Sequence, residues 1–335
     1  MNGTGRIFRV SIFGESHGPA IGAVLDGIPP GLPLAAEDFF ADLARRRAGT
    51  PGTTPRVEDD EPEILSGLFE GHCSGTPLCI VFRNRDTRSS DYERFKRIPR
   101  PGHADYTSGL RYKGYGDPRG SGHFSGRVTA GLVAAGVVAK KILPGASFST
   151  RILEAGGSAD IEEAIACAAA DGDSVGALVE LRVRGIEPGL GEPFFEAAES
   201  RIAANIYAVP AVRGVEFGDG FAAARMRGSE HNDPFIGLDG STAKNGAGGI
   251  NGGITNGNEL VIRVAIKPAS TIAREQETLN FESGAMERLS GEGRHDSCIA
   301  LRAMVALEAA CAIALADLYL IAKTYTTERE RKQSS

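Results

Sequence analysis

The segment Gly14-Glu15-Ser16-His17-Gly18 places an imidazole and a hydroxyl on a turn flanked by glycines, directly after a strand-like run. An imidazole titrates near neutral pH, so His17 could protonate a departing phosphate or stabilise its charge. Judged alone, it could equally be a turn histidine bonded to a carbonyl. The segment also fits Gly-x-Ser-x-Gly, the turn that exposes the nucleophile of serine hydrolases. Because Pro19 and a β-like run follow instead of a helix, a hydrolase using Ser16 is the weaker alternative.

Guanidinium groups beside glycine-rich loops are candidate anion sites. Arg45, Arg46 and Arg47 end a predicted helix, and a glycine-containing loop and Arg56 follow. Such forks bind phosphate and carboxylate groups bidentately, although cations also suit a solvated helix end. Arg127 stands on the first turn of another predicted helix. A cation there opposes the helix dipole, so we expect Arg127 to face a bound anion.

Two more segments join basic groups to a carboxylate. In Pro101-Gly102-His103-Ala104-Asp105 the aspartate could orient the histidine ring or set its tautomer, unless the segment is only a surface loop. In Arg294-His295-Asp296 the aspartate could simply cap the final helix. Its basic neighbours make a catalytic carboxylate the competing interpretation.

A glycine-rich stretch over 245–257 precedes a predicted strand and then Lys267 to Thr271. This order suggests a flat ligand approached by the backbone, with Lys267, Ser270 and Thr271 available for its phosphate. No Gly-x-Gly-x-x-Gly or Walker pattern stands in its proper context, so the dinucleotide and nucleoside triphosphate folds are not supported.

Composition bounds the class of protein. The chain has 335 residues, is 41% hydrophobic and carries a net charge of −6, which argues against a nucleic-acid partner. Five scattered cysteines indicate reduced thiols in a cytoplasmic protein, and six histidines without ligand spacing predict no metal. No secretion signal precedes the first strand, and the apolar run 299–322 is interrupted by charges. We therefore predict a buried helix and no membrane partner.

The elements that position these residues are mixed. Strands are predicted at Ile7 to Phe13, Ile21 to Asp26, Glu63 to Phe69, Leu78 to Arg83, Ala177 to Val183, Val212 to Phe217 and Leu260 to Ile266. Helices are predicted at Ala36 to Arg47, Gly126 to Leu143, Ile161 to Ala170, Phe194 to Ile206 and Ser297 to Lys323. Ser125 and Asp296 are the expected caps of two of these helices.

Strands often follow strands, which predicts an α+β fold with antiparallel sheets and helices packed against them. We expect one catalytic domain over 1–325 and a polar, disordered tail over 326–335. The long stretches 83–126 and 226–257 are interpreted as functional loops.

The chain resembles the chorismate synthase family from Gly5 to about Lys323. Besides the three histidine-containing segments, the resemblance rests on Arg45-Arg46-Arg47, Ile64-Leu-Ser-Gly-Leu-Phe-Glu-Gly71 and Arg88-Ser-Ser-Asp-Tyr92. It implies a carbon–oxygen lyase that eliminates phosphate from 5-enolpyruvylshikimate 3-phosphate in a 1,4-anti sense, giving chorismate with reduced FMN. It also implies helices sandwiched between antiparallel sheets, a homotetramer, and NADPH or an external flavin reductase as the source of electrons. A non-catalytic flavin or anion-binding module is the remaining alternative.

The same resemblance assigns roles to residues. His17 would protonate the departing phosphate, His103 would protonate or stabilise the reduced flavin, and Asp296 would serve the proton path through flavin N5. The substrate-binding residues would be Ser16, Arg46, Arg56 and Arg127. The flavin contacts would be Arg46, His123, Phe124, Ser125, Pro210, Ala211, Gly252, Lys267, Pro268, Ala269, Ser270, Thr271 and Arg294.

Two positions depart from the pattern that the resemblance leads one to expect. His123-Phe124-Ser125 stands where many members have Arg-Ser-Ser, and Gly52 lies where many have another arginine. Arg56 is the candidate substitute for that arginine. A titratable imidazole at 123 predicts that flavin or substrate affinity falls as the pH rises, which binding titrations between about pH 6 and 8.5 would test. Constant affinity over that range would refute the idea.

Overall fold

The structure is a computed structural model that describes residues 2–47, 49, 51–53, 59–85, 90–291 and 296–325. Its first antiparallel sheet contains, in spatial order, β1 (Gly3–Thr4), β2 (Arg9–Gly14), β3 (Ala20–Asp26), β7 (Leu78–Arg83) and β4 (Glu63–Ser66). The second contains β10 (Val212–Phe217), β13 (Leu260–Ile266), β9 (Ala177–Arg184) and β8 (Ser147–Ala155). The short hairpins pair β5 (Leu68–Phe69) with β6 (His72–Cys73), β11 (Ile250–Asn251) with β12 (Ile254–Thr255), and β14 (Gln276–Leu279) with β15 (Met286–Leu289).

The α-helices are α1 (Phe40–Arg46), α2 (Asp105–Tyr112), α3 (Thr129–Ile142), α4 (Ile161–Ala170), α5 (Ala198–Ile206), α6 (Gly228–His231) and α7 (Ala300–Ala322). Short 3₁₀ turns span Ala36–Phe39, Ser90–Lys96, Arg119–Phe124, Gly126–Val128, Phe194–Glu196 and Gly220–Arg225. Several of these turns lead directly into α-helices, so the predicted helices at 36–47, 126–143 and 194–206 each begin as a 3₁₀ turn.

The helices form a layer between the two sheets. Helix α3 packs on β3 and β7, whereas α7 packs on β8 and β9. The two helices also pack on each other, and a Cβ at Gly136 would lie 2.3 Å from the Cβ of Ala309. Helix α7 is long and apolar enough to cross a membrane, yet 78% of its apolar window is buried inside the protein. The predicted α+β fold, with helices between antiparallel sheets, is confirmed.

Two local predictions change for physical reasons. Strand β2 begins at Arg9 instead of Ile7, because the backbone N–H groups of Arg6, Ile7 and Phe8 donate to the buried carboxylate of Asp317. Strand β8 escaped prediction, since its sequence is largely polar and only half of its side chains are shielded.

The two predicted caps have different outcomes. Ser125 does cap its helical turn, because its Oγ accepts from the backbone N–H of Arg127 at 3.3 Å. Asp296 does not cap α7, which begins at Ala300 after Ile299 and has no side-chain cap. Its carboxylate instead pairs with Arg302 on the helix, 3.1 Å away.

A buried carboxylate links α7 to three other elements. Glu308 is fully buried and accepts from Arg45 at 2.6 and 2.8 Å, from Lys140 at 3.0 Å and from Thr150 at 2.7 Å. Burial alone would raise the pKa of Glu308, but these partners hold it below the ordinary value of 4.5. The carboxylate therefore stabilises the fold above about pH 4.5 and loses this contribution as the pH falls through its lowered pKa.

We expect Glu308→Gln to lower the free energy of unfolding by about 2 kcal/mol at neutral pH, because the buried side chain loses its charge-assisted hydrogen bonds from Arg45 and Lys140, which are 43% and 22% exposed. The difference in free energy of unfolding between variant and wild type should narrow below about pH 4.5, because the carboxylate of the unfolded wild type takes up a proton before that of the native state does. Urea denaturation on both sides of that pH measures the difference. If the difference in free energy of unfolding does not change with pH, the native Glu308 carboxylate does not stabilise the fold through its charge.

Candidate active site

A cavity of about 990 Å³ opens beside the helix layer. Two groups of polar side chains, each held together by hydrogen bonds, line or support its wall. The arginine cluster consists of Arg46, Asp60, Arg127, Asp296 and Arg302, and the histidine cluster of Arg100, His103, Asp105, Lys267, Ser270 and Thr271. Most of these residues were predicted from segments that lie far apart in the sequence, and the fold brings them to one cavity.

The arginine cluster is centred on Asp60. Its fully buried carboxylate pairs with Arg46 at the end of α1 and with Arg127 on the turn that precedes α3. Burial alone would raise the pKa of Asp60, but the charges of the two arginines outweigh this effect and lower it. Arg127 also donates to the side-chain oxygen of Asn84 at 3.1 Å. Two cations that would otherwise repel each other are thus held at one place.

Some hydrogen-bond donors of Arg46 are not used by the described residues. Its side chain is only 3% exposed, and among the described residues its Nε and Nη1 atoms have no hydrogen-bond partner. Burial is the main reason that the pKa of Arg46 falls to about 10. Leaving buried guanidinium donors unpaired is costly, so an anionic ligand in the cavity would complete the site.

In the histidine cluster, His103 lies against a carboxylate. Its Nδ1 is 2.7 Å from Oδ1 of Asp105, and Arg100 pairs with both oxygens of Asp105 at 2.7 and 2.8 Å. Burial would raise the pKa of Asp105, but hydrogen bonds from Arg100 and His103 lower it well below its usual range. Asp105 therefore stays ionised and accepts from Nδ1, which leaves Nε2 on the opposite edge of the ring.

Arg100 and Lys267 tie the loops of this cluster together. Arg100 donates to Thr271 and Ser121, each at 3.0 Å. Lys267 donates to Ser270 at 2.8 Å, and burial, together with the charge of Arg213, lowers the pKa of Lys267. Hydroxyls and an ammonium group thus converge on one wall, as a phosphate group requires.

The structure places His17 one layer behind the cavity wall. A Cβ on Gly120, which lines the cavity, would lie only 2.3 Å from the His17 ring. The ring also packs edge-on against Tyr92, another wall residue, with centroids 5.3 Å apart. Ser16 is fully buried, and the turn that carries it joins β2 to β3 without a helix. The serine hydrolase alternative is therefore not favoured.

The other predicted contacts divide into three sets. The cavity wall includes His103, His123, Phe124, Ser125, Pro210, Ala211, Lys267, Ala269, Ser270, Thr271 and Asp296, with Pro268 between two of them. His123 donates through Nδ1 to the carbonyl oxygen of Gly14 at 2.8 Å. Arg56 and Arg294 lie outside the described residues. The third set is Gly252, which is not among the lining residues, so its flavin contact stays a prediction.

The glycine-rich stretch around Gly252 serves packing in this structure. A Cβ at Gly248 would lie 2.4 Å from the backbone nitrogen of Gly218, and one at Gly253 would lie 2.9 Å from the Cβ of Ala197. The flat ligand predicted for this stretch stays a prediction, since the Cβ position of Gly252 itself has open space around it.

We expect Gly120→Ala to impair catalysis more than folding. The new methyl group would collide with the His17 ring and would lie 2.9 Å from Oγ of Ser16. Turnover should fall roughly 100-fold if a displacement of about 1 Å has its usual effect. Gly114→Ala is the matched control, because Gly114 also has a positive φ but has open space around its Cβ position. Equal activity losses in both variants would show that backbone strain, not His17, is responsible.

Sequence reasoning missed Asp60 and Arg302. Arg100 was recognised as part of the segment that ends at Asp105, but it was given no role of its own. Asp60 and Arg302 offer no local signal, since their partners Arg127 and Arg46 lie 67 and 256 residues away. Only the folded chain identifies them as part of the site.

Comparisons with known proteins agree with this geometry. A family model described as chorismate synthase matches residues 8–320. The chain is 56% identical to the chorismate synthase of Chitinophaga pinensis over 322 residues, covering 96% of this chain and 97% of that protein. It is 45% identical to that of Korarchaeum cryptofilum, covering 93% and 96%. A crystal structure of chorismate synthase superposes with a TM-score of 0.73 at 27% identity, covering 98% of this chain and 96% of the other. The chain therefore belongs to the chorismate synthase family, the lyases that form chorismate for aromatic amino-acid biosynthesis.

Proposed function

We propose that the cavity binds 5-enolpyruvylshikimate 3-phosphate together with reduced FMN, and that phosphate elimination takes place there. One observation carries this assignment: Arg46, whose Nε and Nη1 have no partner among the described residues, lines the same cavity as His103, which is paired with Asp105. Anion binding and proton transfer are the two demands of phosphate elimination, and the two clusters supply one each.

The residues present fit a flavin. A volume of about 990 Å³ lies at the upper end of typical ligand pockets, so it has room for a tricyclic cofactor beside a small substrate. Lys267, Ser270 and Thr271 offer a cation and hydroxyls to the cofactor phosphate. Pro210 and Ala211 present a wall without long side chains to a flat ring system. When bound, reduced FMN supplies a transient electron donor that the protein orients and tunes.

The protein's own groups then have distinct tasks. Arg46 and Arg127 hold the substrate anions, with Ser16 behind them. His17 donates a proton to the departing phosphate oxygen, reached past Gly120, which puts no side chain between ring and cavity. His103 would protonate or stabilise the reduced flavin, while Asp296 would serve the proton path through flavin N5 for the hydrogen lost from the substrate ring.

Assembly and electron supply belong to the same proposal. We infer a cytoplasmic homotetramer from the resemblance to the family. Self-association of some kind would bury Phe194, Phe195 and Phe235, which are 86%, 91% and 74% exposed in one chain. The reductant is NADPH or an external flavin reductase.

The test is the dependence of turnover on the redox state of the flavin. Anaerobic enzyme should form chorismate with dithionite-reduced FMN and none with oxidised FMN. Chorismate formed at the same rate with oxidised FMN would contradict the cofactor assignment. Tight binding of flavin and substrate without product would favour the non-catalytic binding module.

A further inference from the structure

The position of Asp60 has a consequence beyond binding. It is a carboxylate inside a site for anions, where it repels any anion that the two arginines attract. Among the described residues, its charge is opposed by Arg46 and Arg127, which are buried to the same degree. A carboxylate here therefore lowers the affinity of the arginine cluster for anions while it keeps both guanidinium groups in place.

We propose that Asp60 is a built-in counter-charge that limits the affinity of the arginine cluster for phosphate, so that the product phosphate can leave. This inference rests on the proposed function, because it assumes that the arginine cluster binds the phosphate of the substrate. Asp60 acts through Arg46 and Arg127, and it is a positioning and specificity-determining residue for the elimination.

The backbone supports a specific role for this side chain. Asp60 has a φ of +52°, a conformation that side chains other than glycine, asparagine and aspartate rarely adopt. The strain is compensated by the two ion pairs that its carboxylate makes. A residue needed only to fill space would not require a charge in this position.

The net charge of the arginine cluster supports the same role for Asp60. Asp60 and Asp296 oppose Arg46, Arg127 and Arg302, which leaves the cluster one positive charge from these five groups. Removing one carboxylate doubles that net charge. A substrate with several anionic groups can still find partners elsewhere in the cavity, whereas inorganic phosphate in this cluster has no second anionic group to hold it there.

The experiment is calorimetric titration of the full-length protein with inorganic phosphate. Asp60→Asn keeps the shape and tolerates the positive φ, and phosphate should bind roughly tenfold or more tightly than to wild type. Turnover should become limited by phosphate release, so kcat should fall and added phosphate should inhibit more strongly. Unchanged or weaker phosphate binding by this variant would overturn the proposal.

Two further variants keep the test decisive. Asp59→Asn makes the same charge change at the neighbouring residue, whose side chain is 64% exposed, and should leave phosphate binding as in wild type. Asp60→Gly also removes the charge and adopts a positive φ without strain, so phosphate should bind more tightly than to wild type even if Asp60→Asn does not fold. Equal or weaker phosphate binding by Asp60→Gly would overturn the proposal.

If the proposed function is wrong, the phosphate titrations give a different pattern. If Arg46→Gln leaves the phosphate titration of wild type unchanged, the arginine cluster is not the phosphate site and the proposed function loses its basis. If Arg46→Gln abolishes binding while Asp60→Asn does not strengthen it, only the counter-charge proposal is wrong.

Discussion

Replacing His17 with alanine is expected to lower kcat for chorismate formation by roughly 1000-fold, while flavin affinity changes little. Positioned acids and bases typically contribute factors of this size. The ring lies behind Gly120 and beside Tyr92, close enough to the cavity to serve the leaving phosphate, whereas other residues are proposed to hold the flavin. Anaerobic turnover and flavin titration of the same preparation separate the two effects.

His72→Ala is the matched control for this variant. His72 is exposed, and its Nδ1 bonds only to the carbonyl oxygen of Glu70 at 2.9 Å, outside the cavity. The His72→Ala variant should retain wild-type turnover. If His17→Ala does so as well, His17 is a structural turn residue and the leaving phosphate takes its proton elsewhere.

Replacing Arg46 with alanine is expected to lower kcat/KM by roughly 1000-fold, mainly through KM. The change removes the guanidinium donors that are proposed to bind the substrate anion. It also leaves Arg127 as the remaining partner of Asp60 in the cluster. Hydrogen bonds to charged groups, together with the penalty of a buried unpaired charge, account for about 4 kcal/mol, which corresponds to this factor.

Arg46→Lys should recover only part of the loss, since a lysine keeps the charge but not the planar fork. Arg9→Ala is the control for general charge effects, because Arg9 is 60% exposed and pairs with Asp26 away from the cavity. Steady-state kinetics at several substrate concentrations separates KM from kcat. A loss in kcat alone, with KM unchanged, would mean that Arg46 does not bind the ground-state substrate.

Local pattern predicted much of the framework. Strands β7, β10 and β13 and helix α4 have the bounds that periodicity indicated, because each carries apolar residues at the spacing of its own element. Strand β8 did not stand out, since it is mostly polar and is held by its pairing with β9.

Only the local contacts of the candidate site could be predicted from the sequence. His103 and Asp105 are two residues apart, so their contact could be anticipated, and it is present at 2.7 Å. The link from Asp60 to Arg127 spans 67 residues and depends on the packing of separate elements. For the same reason, the sequence could not indicate that Gly120 separates His17 from the cavity.

The most direct test of the account is a single anaerobic turnover with stoichiometric enzyme, reduced FMN and 5-enolpyruvylshikimate 3-phosphate, in which chorismate and phosphate are measured together. If the cavity carries out the elimination, both products form in equal amounts and at the same rate. Phosphate released without chorismate would contradict it, because hydrolysis rather than elimination would then be the reaction of this cavity.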